Sequence, residues 1–363
     1  MSFESSNAGL EITTSREAPS LRVDAVDHSA SEEWRRFVDG AEQAELYHDY
    51  RWRLLIEEVF GHECHYLVAR DSSRAIRGLV PLVRLRSLLF GDFLVSVPYF
   101  NYGGILADSV AAERVLTDAV AARGRTLGVS HAELRHRVGR SLEWPARDDK
   151  VSMMLELPAG EEALLKSFGS KLRAQIKRPQ KAGATCRSGA HELLDDFFAV
   201  FARNMRDLGT PVYPRRFFAR ILELFPGQAR LFVVDLRGKP VAAGLVLQHR
   251  ATLEIPWASS LREANQEGVN MLLYFAVLQH AIASGCRRFD FGRSTKDSGT
   301  YRFKQQWGAQ PQQLCWHYWL SGDRELPKIT PTNPKYRLAI ALWKRLPLAA
   351  ANWLGPQIVA KLP

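Results

Sequence analysis

One order of strand, turn, strand, proline, helix and strand occurs twice in these 363 residues, and a chain that repeats a unit of this kind folds as two copies of it. The first copy opens with His65-Tyr-Leu-Val-Ala-Arg-Asp71, and a polar turn, Ser72-Ser-Arg74, leads into Ile76-Arg-Gly-Leu-Val-Pro-Leu-Val83. Apolar runs joined by so short a turn read as an antiparallel pair. Val97-Pro-Tyr99 follows, then helical spacing over about 109–127 with Gly128 as its C-cap, and a short closing strand, Ser130-His-Ala-Glu-Leu-Arg135. The second copy keeps the grammar: Leu231-Phe-Val-Val-Asp235, a turn at Arg237-Gly-Lys-Pro240, Val241-Ala-Ala-Gly-Leu-Val-Leu247, Ile255-Pro-Trp257, a helix over about 268–284 ending at Gly285, and Arg288-Phe-Asp-Phe291. Pro98 to Gly128 is 30 positions and Pro256 to Gly285 is 29, so the copies agree in spacing as well as in type.

A strand pair, a central strand interrupted by a bulge-like proline, a helix and a neighbouring strand resemble a GNAT-type acyltransferase lobe. The expected fold is therefore α/β, with two tandem GNAT-like lobes of mixed, largely antiparallel twisted sheets flanked by helices. Where two central strands splay apart, backbone N–H and C=O groups lose their ladder partners, and a ligand amide or thioester can satisfy them. The competing reading is that Pro98 and Pro256 mark edge strands. Between the copies, Phe197, Phe198, Phe201 and Met205, then Phe217, Phe218, Ile221 and Leu222, recur at helical spacing and read as core. The expected division is residues 1–19 disordered, 20–150 first lobe, 151–320 second lobe, and 321–363 a basic amphipathic tail.

Four cysteines lie far apart without a metal-ligand spacing, so no disulfide framework and no metal site are expected. The first residues lack a basic segment followed by an apolar one, and no run of about 18 apolar residues occurs, so the expectation is a cytoplasmic protein. The net charge of +10 favours anionic partners. Its distribution is uneven. Lys166, Lys171, Arg173, Lys177, Arg178 and Lys181 stand in a stretch without Asp or Glu, and Lys171, Arg173, Lys177 and Arg178 are expected to bind phosphate or RNA. The acid-free tail sets Lys335, Arg337, Lys344, Arg345 and Lys361 beside Tyr336, Leu338, Leu342, Trp343 and Trp353. That composition suits contact with an anionic membrane surface, and docking on the first lobe is the alternative.

The segment Asp290-Phe-Gly-Arg-Ser294, followed by Gly299-Thr-Tyr-Arg-Phe-Lys-Gln-Gln-Trp-Gly308, resembles the FemAB family of peptidyl and aminoacyl transferases, and more closely its branch associated with PEP-CTERM and exopolysaccharide systems. The resemblance extends over roughly residues 28–363. It implies that a backbone N–H of Phe303 and the ammonium of Lys304 stand near a reacting carbonyl, where preorganised donors stabilise the developing oxyanion. Asp290 is open to two readings, an acceptor of the amine's proton or a carboxylate that pairs with Arg293 or caps the next turn. Expected substrate contacts are Tyr99, Asn101 and Tyr102 in the first lobe and Tyr213, Trp257, Arg293, Ser294 and Tyr301 in the second. The implied function is N-acyl transfer from acyl-CoA or aminoacyl-tRNA, with no tightly bound cofactor, to an amine of a lipid-linked or nucleotide-linked saccharide or peptide precursor of the cell envelope. The alternative is a non-catalytic RNA- or membrane-binding assembly factor. Two departures matter: Asn265-Gln-Glu-Gly-Val-Asn270 only partly matches the glycine-rich loop of acetyl-CoA enzymes, and Gly209-Thr-Pro-Val-Tyr213 stands where peptidoglycan-acting relatives place an arginine.

Overall fold

The computed structural model describes residues 20–87, 90–140, 142–327 and 334–362; the expectation for residues 1–19 lies outside them. The first part of the chain contributes β1 (Arg22–Ala25), α1 (Ser31–Gly40), α2 (Arg51–Phe60), β2 (Glu63–Cys64), β3 (Leu67–Arg70), β4 (Ile76–Val80), β5 (Val83–Ser87), β6 (Gly91–Val95), β7 (Leu106–Ala107), α3 (Val110–Leu127), β8 (His131–His136) and β9 (Ala146–Arg147). After β10 (Lys150–Glu156), α4 (Glu161–Ser167) and α5 (Ser170–Lys181) come β11 (Thr185–Gly189), α6 (Leu194–Leu208), α7 (Arg215–Leu224), β12 (Ala229–Leu236), β13 (Lys239–His249), β14 (Thr252–Ser260), α8 (Val269–Ala283), β15 (Arg288–Thr295), α9 (Gly299–Gln305), β16 (Gln310–Gln313), β17 (Cys315–Leu320), α10 (Pro334–Trp343) and α11 (Leu348–Val359).

The duplication is visible in the pairing. In each lobe the strand after the hairpin runs antiparallel to it and then pairs in parallel with the strand after the helix: β6 with β8 and β14 with β15. The lobes differ at Pro81. β13 continues unbroken, whereas its counterpart is divided by Pro81 into β4 and β5, which join separate sheets ordered β1-β3-β4-β7 and β2-β5-β6-β8-β17-β9. Proline brings no N–H to a ladder, and the sheet parts there. The second lobe holds a single sheet, β11-β12-β13-β14-β15-β10-β16.

Two strands cross the boundary that sequence order suggests. β10 follows the first lobe and lies beside β15 in the second, while β17 follows the second lobe and lies beside β8 in the first. Residues 315–320 therefore complete the first lobe's sheet and not the second's. The exchange is sealed by packing: a Cβ on Gly124 of α3 would come within 2.3 Å of the Trp319 ring on β17.

Helix α3 is capped by the Ser109 side chain and ends at Gly128, whose φ of +66° suits glycine. Helix α8 is apolar on nearly every side because it is covered by the sheet on one face and by α5 on another. The aromatic positions of α6 and α7 enter a cluster that takes in Trp34, Trp52 and Phe100 of the first lobe with Phe197, Phe217, Phe218 and Trp257 of the second. Each fully buried phenylalanine there contributes about 1.5–3 kcal/mol, so the lobes share a core.

Candidate active site

Both splays exist, and they are filled differently: the first is plugged between its strands, with a cavity of about 220 Å³ beyond the plug lined by Gly104, Ile105, His136 and Arg137. In the first lobe β6 and β8 pair through Leu94↔Ala132 and Val95↔Glu133 and then part. The gap is filled by the chain itself. The amide of Arg135 donates to Ser96 Oγ (2.9 Å), its guanidinium donates to the Phe100 carbonyl (2.6 Å), and the Ile105 amide donates to His136 Nε2 (3.1 Å). Gly104 lies so close that a Cβ would meet His136 Cδ2 at 2.4 Å. The residues that plug this splay flank Pro98, which lies beyond the end of β6 and is not an edge-strand proline.

In the second lobe β14 and β15 pair through Thr252↔Arg288, Leu253↔Phe289 and Glu254↔Asp290 before they diverge. Pro256 stands at a bulge in a central strand, where three steps of β14 oppose two of β13 between Leu245↔Trp257 and Leu247↔Glu254. A cavity of about 250 Å³ opens there, lined by Pro256, Phe291, Gly292, Arg293 and Lys304 of this lobe and closed by Tyr47, Tyr99, Phe100 and Asn101 of the first. The loop that forms this wall is strained: Val97 and Tyr99 have φ of +47° and +76°, a region that costs a non-glycine residue about 1–3 kcal/mol and persists only when packing imposes it.

Lys304 is 7% exposed and forms part of the cavity lining. It lies on α9, a short helix started by Ser298, whose hydroxyl accepts the Tyr301 amide. Its Nζ donates to the carbonyls of Gly292 and Arg293, both at 2.9 Å. An ammonium has three N–H donors, so among the described residues one has no acceptor. Burial lowers the Lys304 pKa to about 8, and the charge of Asp290 opposes that shift.

Of the residues expected at the site, Lys304, Arg293, Tyr99 and Asn101 meet at this cavity. The Tyr99 hydroxyl is already engaged, donating to the Ala360 carbonyl (2.9 Å) beside His62 Nε2 (2.8 Å). Tyr102 faces a second cavity, where its hydroxyl donates to Glu254 Oε2 at 2.5 Å. Trp257 and Tyr213 belong to the aromatic packing with Phe217 and do not line the cavity, because the bulge turns Trp257 toward α6 and α7. Ser294 is buried in the rung opposite Val151, with an Oγ that has no partner, and Tyr301 packs in the core around α8; neither reaches the cavity.

Phe303 is a correction. It is the fifth residue of α9, where the i→i−4 ladder takes up the amide, and its ring packs on Tyr274 and Trp307. The donor at the cavity is the Lys304 side chain.

Asp290 is fully buried and holds the strands together. It accepts from Ser152 Oγ (2.5 Å) and the Gly292 amide (2.8 Å), and its ion-pair partner is Arg137 (3.1 Å) rather than Arg293. Asp290 thus bonds within its own strand, to β10 and to Arg137, and does not pair with Arg293. Sequence reasoning missed Tyr47, Arg137 and Glu254. The last carried a signal, as the lone acid in the apolar run Leu253 to Trp257.

Lys171, Arg173, Lys177, Arg178 and Lys181 all lie exposed on α5, whose Leu172, Ile176 and Pro179 face inward. Lys166 pairs with Glu162, but among the described residues no carboxylate pairs with these five. The tail forms two helices separated at Pro347, and Pro356 sits inside α11 without ending it. Helix α11 docks: Gly355 packs on Val212, and the Ala360 carbonyl meets His62 and Tyr99. Lys335 and Tyr336 have no described side chains.

Comparison with known proteins agrees with this geometry. Residues 166–305 match the acetyltransferase (GNAT) domain family. No curated protein matches the sequence. Among solved structures the chain is similar to FemX, at 13% identity and a TM-score of 0.62 over 88% of this chain and 100% of the other. It is also similar to a tandem GNAT protein from the clavulanic acid biosynthesis pathway (12% identity, TM-score 0.51, 84% of this chain and 100% of that one). A third similar structure is L-PGS from Bacillus licheniformis, with 13% identity and a TM-score of 0.52 over 82% of this chain and 96% of that one.

Twin splayed lobes, the second containing the stretch that matches the GNAT domain family, define a tandem GNAT fold. The fold is the one seen in FemX.

Proposed function

We propose that this protein transfers an aminoacyl or acyl group to an amine of a lipid-linked or nucleotide-linked saccharide or peptide precursor of the cell envelope, in the setting of exopolysaccharide or cell-wall assembly. The observation that carries this reading is the buried Lys304 ammonium, with one N–H uncommitted among the described residues, lining the cavity at the second-lobe splay. Amine attack on an ester or thioester builds negative charge on the carbonyl oxygen, and a buried donor already held by two backbone carbonyls needs little reorganisation to meet it. The leaving group is already present in such a donor, so positioning and electrostatics suffice.

The donor favoured by the geometry is aminoacyl-tRNA over acyl-CoA. Acyl-CoA enzymes seat the pyrophosphate on backbone amides at a helix N-terminus. Here α5 lies across that end of α8, with Gln175 O and Pro179 Cδ 3.7 and 3.8 Å from where a Gly268 Cβ would stand. The five unpaired cations of α5 provide the alternative grip on a phosphate chain. Incubation of the protein with labelled aminoacyl-tRNA and a lipid- or nucleotide-linked amino sugar is expected to label the acceptor. The double variant K177E/R178E is expected to raise the donor KM about tenfold with kcat nearly unchanged, and to flatten the salt dependence. Transfer from acyl-CoA alone, indifferent to these charges, would overturn the choice of donor.

The tail supports work at the cytoplasmic face of a membrane. Among the described residues no helix is long and apolar enough to cross a bilayer. Leu338, Leu342 and Trp353 are nonetheless 57–70% exposed, amid the exposed cations Arg337, Lys344, Arg345 and Lys361. Basic heads beside apolar bodies suit an anionic leaflet. The protein is expected to co-sediment with vesicles rich in anionic lipid, and L338S/L342S/W353S to abolish this; equal binding to neutral vesicles or by the triple variant would refute the contact.

A further inference from the structure

On the other side of the Glu254–Asp290 rung lies a second cavity, of about 200 Å³, between the lobes. It adjoins the first through neighbouring residues. Leu46 and Tyr102 line one cavity, and Tyr47 and Asn101 line the other. The carboxyl groups of Glu45, Glu254 and Asp290 share one directly bonded cation, Arg137, which bonds Glu45 (2.8 Å) and Asp290 (3.1 Å) and lies 3.8 Å over the Tyr102 ring. Arg140 also acts on Glu45 through space, and Lys304 on Asp290 and Glu254. Among the described residues Glu254 forms no ion pair, although the charge of Arg137 reaches it. Glu42 and Arg288 lie at the exposed rim, and His249, whose pKa burial lowers, bonds the Ala44 carbonyl.

Glu254 is 2% exposed, and its Oε1 has no hydrogen-bond partner. The buried Tyr47 hydroxyl approaches the same carboxyl without completing a hydrogen bond. A buried carboxylate in this state either keeps a proton or takes a cation. Burial, reinforced by Asp290, raises the Glu254 pKa to about 8, which is the protonated solution in the absence of a ligand. Among the described residues no group of three His, Cys, Asp or Glu side chains is arranged to hold a metal ion. The complementary ligand is therefore an organic cation with N–H donors.

We propose that the interlobe cavity is a recognition site for a primary ammonium group, held by Glu254 Oε1 and Glu45. The inference rests on the reading of the protein as an amine acylator, for which this site receives the acceptor's amine. It deepens that reading by naming the carboxyl groups that would recognise the acceptor's amine before it reaches the Lys304 cavity, where the bond is made.

Binding is tested without any donor, so turnover plays no part. Isothermal titration of the full chain with glucosamine and with N-acetylglucosamine compares an ammonium with its neutral amide. Glucosamine is expected to bind and N-acetylglucosamine to bind at least tenfold more weakly. E254Q keeps an acceptor for Tyr102 and is expected to lose at least tenfold in glucosamine affinity. E45Q provides a second variant should E254Q unfold, and is expected to weaken binding in the same direction. Equal binding of the two sugars, no binding of either, or full affinity in the variants would overturn the site. Amine binding that depends on Glu254 in a protein that transfers nothing would sink the proposed function and leave the site standing.

Discussion

Replacing Lys304 with methionine is expected to lower the rate of transfer about 100- to 1,000-fold, the usual cost of one oxyanion donor, while thermal stability stays the same or rises. The stability half of the expectation follows from burial. The ammonium is 7% exposed and its pKa is lowered to about 8, so folding disfavours its charged form. A lysine with a folded pKa below its unfolded value destabilises the protein at neutral pH, where both states carry the proton and the folded one carries it in a buried place; the penalty fades as pH rises from about 8 through the unfolded pKa, where only the unfolded chain keeps the proton. A methionine of similar length removes it. Rate and stability thus move in opposite directions, which a purely structural lysine would not show. The pH profile adds a second readout: the donor is present only below about pH 8, so transfer should decline above it. An unchanged rate in K304M would remove Lys304 as the donor, whereas a protein that transfers nothing and whose K304M variant keeps the full cellular phenotype would favour the non-catalytic assembly factor.

The duplication was legible because it is written in local chemistry. Turn residues, alternating apolar runs, the prolines at 98 and 256 and the glycines at 128 and 285 each act on their own neighbours. The same locality explains what was hidden. Nothing in the residues of β10 or β17 says which lobe they join, because strand partners are chosen across the whole chain; the evidence for β17 is the fit of Trp319 against Gly124. The inequality of the two splays was hidden for the same reason. Matched prolines predict two gaps, and only the fold shows that Ser96, Phe100 and Ile105 fill the first.

The site was half legible. Lys304 and Asp290 stand in one motif, but Arg137, which pairs Asp290, comes from just beyond β8, and Glu45 from the connection before α2. Tyr213 and Trp257 carry polar or aromatic character that suits a ligand as well as it suits a core. Their surroundings of Phe217 and Phe218 decide for the core.

Asp290→Ala is expected to destabilise the protein by about 3–5 kcal/mol, the penalty for leaving a buried charge without its partner. Arg137 would keep only Glu45, and Ser152 Oγ and the Gly292 amide would lose their acceptor at the rung where the strands part. Urea unfolding measures this, and a loss below about 1 kcal/mol would show that water or Glu254 replaces the carboxylate. Asp290→Asn separates the structural role from that of a proton acceptor. The charge of Asp290 keeps Lys304 protonated against the effect of burial. Removing that charge lowers the Lys304 pKa further, so the alkaline limb of the rate profile should move to lower pH. If Asp290 instead took the amine's proton, the asparagine variant would lose the acid limb and leave the alkaline limb in place. The geometry favours the first outcome, because both carboxylate oxygens are occupied by Ser152, Gly292 and Arg137 before any substrate arrives.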